Sequence, residues 1–100
     1  MAYYMDTDKK LLKIFAKHCN LTTEEYGEIR GRFIDLVSDI QMLEEKSDMM
    51  TLRGTIEKID NLFAIFEFLL NVKELTVEEY IELRNMVCDL EGAARTAVMV

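Results

Sequence analysis

Apolar positions along this chain fall into four stretches, and the spacing within each predicts one face of a helix. From Asp8 to Cys19, the residues Leu11, Leu12, Phe15, His18 and Cys19 recur at i, i+3, i+4 and i+7 offsets. In the second stretch Tyr26, Ile29, Phe33, Leu36, Ile40 and Leu43 step 3, 4, 3, 4, 3. In the fourth, Tyr80, Leu83, Val87, Leu90, Ala94 and Ala97 repeat those steps. That is the a/d spacing of helices packed nearly parallel to their neighbours. The third stretch offers a complementary seam of Leu52, Ile56, Ile59, Phe63, Phe66 and Leu70. Leu62, Ile65, Phe68 and Leu69 widen it, so the third helix is expected to be the most buried.

The helix starts are written twice. Leu21-Thr22-Thr23-Glu24-Glu25-Tyr26 returns as Leu75-Thr76-Val77-Glu78-Glu79-Tyr80, and Arg30, Asp35 and Leu36 return as Arg84, Asp89 and Leu90, all offset by 54 positions. Each copy predicts a capping box. The threonine accepts from the backbone of the glutamate three residues on, whose carboxylate reaches back, while Leu and Tyr staple the entry. The paired glutamates also oppose the positive end of the helix dipole. The first helix aligns with the third through Leu11/Leu62, Phe15/Phe66 and Asn20/Asn71, offset by 51.

Such internal duplication dictates architecture before anything else. The expected fold is all-α: a four-helix bundle of two duplicated helical hairpins related by a pseudo-twofold axis. The halves are residues 8–46 and 52–99 of a single domain, joined by a crossover at 46–51. An intertwined or side-by-side homodimer is the alternative arrangement.

Composition agrees. The 100 residues include no proline and only four glycines, and half are apolar, which favours helix throughout. One half alone would be marginal, so each needs the other for burial. Two cysteines, one per half and without a CxxC pair, read as small buried hydrophobes in a reducing compartment. Residues Met1 to Lys10 lack the apolar run of a signal peptide, and Leu62 to Val72 is too short to span a bilayer. The protein is therefore expected in the cytoplasm, away from membranes.

Charge narrows the partners. Residues 1–46 carry seven Lys/Arg against nine Asp/Glu and residues 47–100 five against ten, for a net −7. Direct nucleic-acid binding, which needs clustered cations, is not expected.

Chemistry is sparse. A di-metal bundle site needs Glu-x-x-His pairs, whereas His18 is the only histidine and Phe15 precedes it by three. Cys19 adjoins His18, but neighbours on a helix point about 100° apart. Gly27-x-x-x-Gly31 suggests a thin place where another helix approaches. No catalytic, cofactor-binding or metal-ligating set is expected. The candidate partner contacts are Arg30 and Arg84, which helix grammar explains least, and Glu28, Asp35, Glu82 and Asp89, which form two matched acidic strips. Ile34, Ile81 and Cys88 are apolar off the seam, and the chain holds seven methionines, so an adaptable contact surface and homodimerisation are expected. The reading that follows is a non-enzymatic, acidic, helical protein-binding module acting stoichiometrically as a regulator or inhibitor, with nucleic-acid mimicry as a sharper variant. Its rival is an oligomer that binds or sequesters an anionic nucleotide through Arg30 and Arg84.

Overall fold

The four amphipathic stretches fold as four helices, α1 (Ala2–His18), α2 (Thr23–Glu45), α3 (Met49–Asn71) and α4 (Val77–Met99). The computed structural model describes the backbone of residues 2–18 and 20–99 and the side chains of 6–16 and 20–98. Among the described residues there is no strand, and no helix is long and apolar enough to cross a membrane. Expectations attached to the side chains of His18 and Cys19 lie outside the described residues.

Both predicted capping boxes form. Thr22 accepts from the Glu25 N–H at 3.1 Å, and the Glu25 carboxylate accepts from the Thr22 N–H at 2.9 Å. At the start of α4, Thr76 and Glu79 exchange the same bonds at 3.1 and 2.8 Å. A third cap comes from Asp48, whose carboxylate accepts from the Met50 N–H at 3.2 Å and the Thr51 hydroxyl at 2.9 Å. That cap starts α3 at Met49, inside the crossover expected at 46–51. α3 closes with Lys73 in a left-handed conformation (φ 64°) while the Glu74 and Leu75 N–H groups donate to the Leu69 carbonyl. Asp6, Thr7 and Asp8 have the chemistry of helix caps but do not start α1. All three lie within the helix, where Thr7 is buried and Asp8 pairs with Arg30 on α2.

α2 and α4 pack directly against each other, and α1 and α3 lie on either side, each touching both. Among the described residues α1 and α3 do not meet. The Ser47 hydroxyl, in the α2–α3 turn, donates to the Ala97 carbonyl near the end of α4 at 3.0 Å. The C-terminal ends of α2 and α4 therefore share one end of the bundle, and these two helices run parallel.

This arrangement decides which faces are buried. α2, touched from three sides, buries Ile29, Phe33, Leu36, Val37, Ile40 and Leu43 to 2% exposure or less. The deepest burial thus belongs to α2, not α3. α3 turns Leu52, Thr55, Ile59, Leu62, Phe66 and Leu69 inward, so Ile56, Phe63 and Leu70 sit at the edge of the seam predicted for them. Phe66 stacks on Phe33 with ring centroids 6.2 Å apart. Thr55 belongs to this core because its hydroxyl donates to the Thr51 carbonyl at 2.8 Å, which satisfies it without solvent. On α1 the inward residues are Thr7, Leu11 and Ile14, with Phe15 edge-on to Tyr26 at 4.8 Å. Leu12, expected on that face, points to solvent. Gly27 and Gly31 also face solvent, with nothing within 4 Å of an added Cβ, so they mark no close helix approach.

Candidate functional site

The six candidate contact residues lie on two separate sides of the bundle. Arg30 is engaged within the fold: its Nε and Nη2 donate to the two Asp8 carboxylate oxygens at 2.9 and 3.0 Å. The hydrogen bonds and charge of Asp8 hold the Arg30 guanidinium still more firmly protonated than usual. Arg84, its counterpart in the repeat, is exposed and lies 5.5 Å from the centroid of the Phe63 ring on α3. One arginine reaches α1 and the other α3, on opposite flanks, so the two guanidinium groups do not converge on a shared anion.

The acidic strips divide in the same way. On the α2–α3 side, Glu28 pairs with Arg32 of its own helix at 3.2 Å. Asp35 lies 3.8 Å from Lys58, whose closer partner is Asp39 at 2.9 Å. The Asp39 bond raises the Lys58 ammonium pKa above its usual range. On the α1–α4 side, Glu82 and Asp89 line a cleft of about 300 Å³ with Lys10, Lys13, Ile14 and Met86. A second hollow of about 180 Å³, bounded by Thr7, Leu90 and Ala93, shares Lys10, Met86 and Asp89 with it. Beside this seam Ala93 stands where the first repeat carries Asp39.

A third cleft, of about 190 Å³, opens between α2 and α3, walled by Ile29, Ile65, Phe68 and Leu69, with Glu25 and Glu28 on its rim. Phe68, expected to widen the core, is instead 62% exposed. On the helical wheel it stands nearly opposite Ile59 and Phe66, which face the core. Met42, Met49, Met50, Val77 and Ile81 are exposed as well. Cys88, expected to be buried, is an exposed free thiol, since it occupies the solvent side of α4 opposite Leu83 and Leu90.

One electrostatic feature joins the two halves at the end of the bundle where α2 and α4 begin. The carboxyl groups of Glu25 and Glu74 lie close enough there to shift one another's proton affinity in opposite directions. The backbone N–H of Thr22, ahead of Glu74 itself, pulls Glu25 below the usual carboxylate range. Glu74 is pushed up, chiefly by the neighbouring Glu25 carboxyl and then by desolvation. Among the described residues no cluster of three or more His, Cys, Asp or Glu is arranged to hold a metal ion. No protein-family model, curated protein or solved structure matches the chain.

Proposed function

We propose that this is a cytoplasmic, non-enzymatic binding module that docks stoichiometrically onto a partner protein and regulates or inhibits it. The observation that carries this reading is the exposure of large apolar side chains, Phe68 at 62% and Met50 at 79% among them, on a bundle whose interior is otherwise closed. Contiguous exposed apolar surface marks contact sites, and Phe68 adjoins the apolar walls of the α2–α3 cleft. The free thiol of Cys88 fits a reducing compartment. With a net charge of −7, the partner surface is basic. Glu28 and Asp35 on one side, and Glu82 and Asp89 on the other, are the residues that meet it. In the nucleic-acid-mimic variant, binding falls steeply as salt rises.

We also infer that the chain arose by duplication of one hairpin about a pseudo-twofold axis, and that it self-associates as a homodimer. The twin capping boxes at an offset of 54 support the first inference. Light scattering on the pure protein tests the second. The functional test is affinity capture from the native host with the wild-type chain and with a Phe68→Glu, Met50→Glu double variant as baits. A partner retained near one-to-one by the wild type and lost by the variant is the expected result. Equal recovery by both baits, or no enriched protein, refutes the reading.

A second reading, sequestration of an anionic nucleotide, would need Lys10 and Lys13 of the α1–α4 cleft to turn from Glu82 and Asp89 of the same cleft to the ligand. A true ligand at 100 times its dissociation constant adds about 2.7 kcal/mol to stability. Thermal shifts with nucleotides that disappear in Lys10→Ala, Lys13→Ala would establish it, and absence of any shift removes it.

A further inference from the structure

This inference rests on the protein-binding reading and names the face and the partner's chemistry. The two clefts overlap in the repeat at two positions. Ile65 of the α2–α3 cleft aligns with Ile14 of the α1–α4 cleft, and Glu28 with Glu82. Their charge is not alike. In the α1–α4 cleft, Lys10 and Lys13 of α1 line the same space as Glu82 and Asp89 of α4, so the chain supplies its own cations to those acids. The aligned positions on α3 are Asn61 and Ala64, which carry no charge. The cations nearby on α2 and α3 are already engaged, Arg32 by Glu28 on the same helix and Lys58 by Asp39. The α2–α3 cleft is left with an apolar lining, a protruding aromatic ring and a rim on which Glu25 pairs with no cation among the described residues, while Glu28 holds Arg32 in an exposed pair that a partner cation can exchange.

We propose that the α2–α3 cleft is the docking site for a basic amphipathic helix of a partner protein. Apolar side chains of that helix seat against Phe68, Ile65 and Ile29, and its Lys or Arg side chains meet Glu25 and Glu28. The binding strength resides in the apolar seat, because an aromatic ring that becomes fully covered dominates such interfaces. The rim carboxylates are solvent-exposed, so they act mainly on the rate and register of association.

The probe is a synthetic helical peptide with leucines at i, i+4 and i+7 and lysines on its remaining face. A scrambled peptide of the same composition and a Lys→Glu version serve as controls. Fluorescence anisotropy is expected to give saturable binding by the ordered basic peptide alone, with amide shifts centred on Glu28, Ile65 and Phe68. Phe68→Glu and Phe68→Ala, at an exposed position that leaves the helical circular dichroism unchanged, each weaken binding by about tenfold or more. Glu28→Lys slows association and flattens its salt dependence, while Leu12→Glu on α1 changes nothing. Failure of the ordered peptide to bind, equal binding of the scrambled peptide, shifts centred on the α1–α4 cleft, or indifference to both Phe68 variants overturns the proposal. Affinity capture with single variants separates it from the wider reading. A partner lost with Met50→Glu but kept with Phe68→Glu removes this cleft and leaves the protein a binding module, whereas no partner at all removes both.

Discussion

Replacing the two capping threonines with alanine tests whether the duplicated segments are helix locks, and the structure predicts that the two will not respond equally. Each threonine accepts one backbone N–H at 3.1 Å. Losing such a cap costs about 0.5–2 kcal/mol. The Thr22 box is solvent-exposed, so water takes over the freed N–H, and Thr22→Ala is expected near the lower end, about 0.5–1 kcal/mol. The Thr76 box is partly buried and its Glu79 is only 6% exposed, so the freed groups lose more. Thr76→Ala is expected at about 1–2 kcal/mol. The two caps share no hydrogen-bond partner, so the double variant should lose the sum to within about 0.5 kcal/mol. A total near 2 kcal/mol in a domain of this size lowers the melting temperature by about 8–16 °C. Urea titrations at neutral pH followed by far-UV circular dichroism give all four corners of the cycle. Thr76→Ser, which keeps the acceptor, should stay within a few tenths of a kcal/mol of wild type. A Thr22→Ala cost equal to or above that of Thr76→Ala, or a coupling above about 1 kcal/mol, refutes the reasoning.

Two further predictions concern the core and the acidic pair. Leu36→Ala, at a fully buried position on α2, should cost about 2–5 kcal/mol, while Leu12→Ala, exposed on α1, should stay within about 0.5 kcal/mol of wild type in the same titrations. The raised Glu74 pKa means its protonated form favours the fold, a contribution present below the ordinary carboxylate range and lost as pH rises through its native value. Glu74→Gln should therefore raise the urea midpoint at pH 7, and the gain should shrink at pH values below the ordinary carboxylate range, where the native glutamate is neutral too. A gain that grows as pH falls would reverse the assigned direction.

What the sequence shows of this fold depends on how local each signal is. The starts of α2 and α4 were legible to the residue, because a capping box closes within four consecutive positions. The start of α1 was not. Asp6, Thr7 and Asp8 have cap chemistry, yet Thr7 is covered by neighbouring elements and Asp8 is held by Arg30, so tertiary contacts carry the helix past them. α3 was legible as a helix but not in phase. From Leu62 to Leu70 nearly every residue is apolar, so periodicity cannot choose a face, and contact with both α2 and α4 makes the choice instead. Thr55 was illegible as core because its hydroxyl is satisfied by the Thr51 carbonyl one turn back and the Asp39 carboxylate of α2, partners that no apolar periodicity reveals. Glu28, Asp35, Glu82 and Asp89 can be named from the sequence, but which side of the bundle each pair faces depends on which flank α1 and α3 occupy. Phe68 was misassigned for want of that phase.

The peripheral seat of α1 also orders how the molecule comes apart. α2, α3 and α4 each touch the other two, a closed triangle that does not require α1, whereas α1 leans on α2 and α4 alone along a seam interrupted by two hollows. Partial opening accordingly begins there, and deuterium enters the amides of α1 well before those of Ile29 to Leu43. Each such excursion bares Met86 and Leu90 on α4, which in the closed molecule are only 8% and 7% exposed.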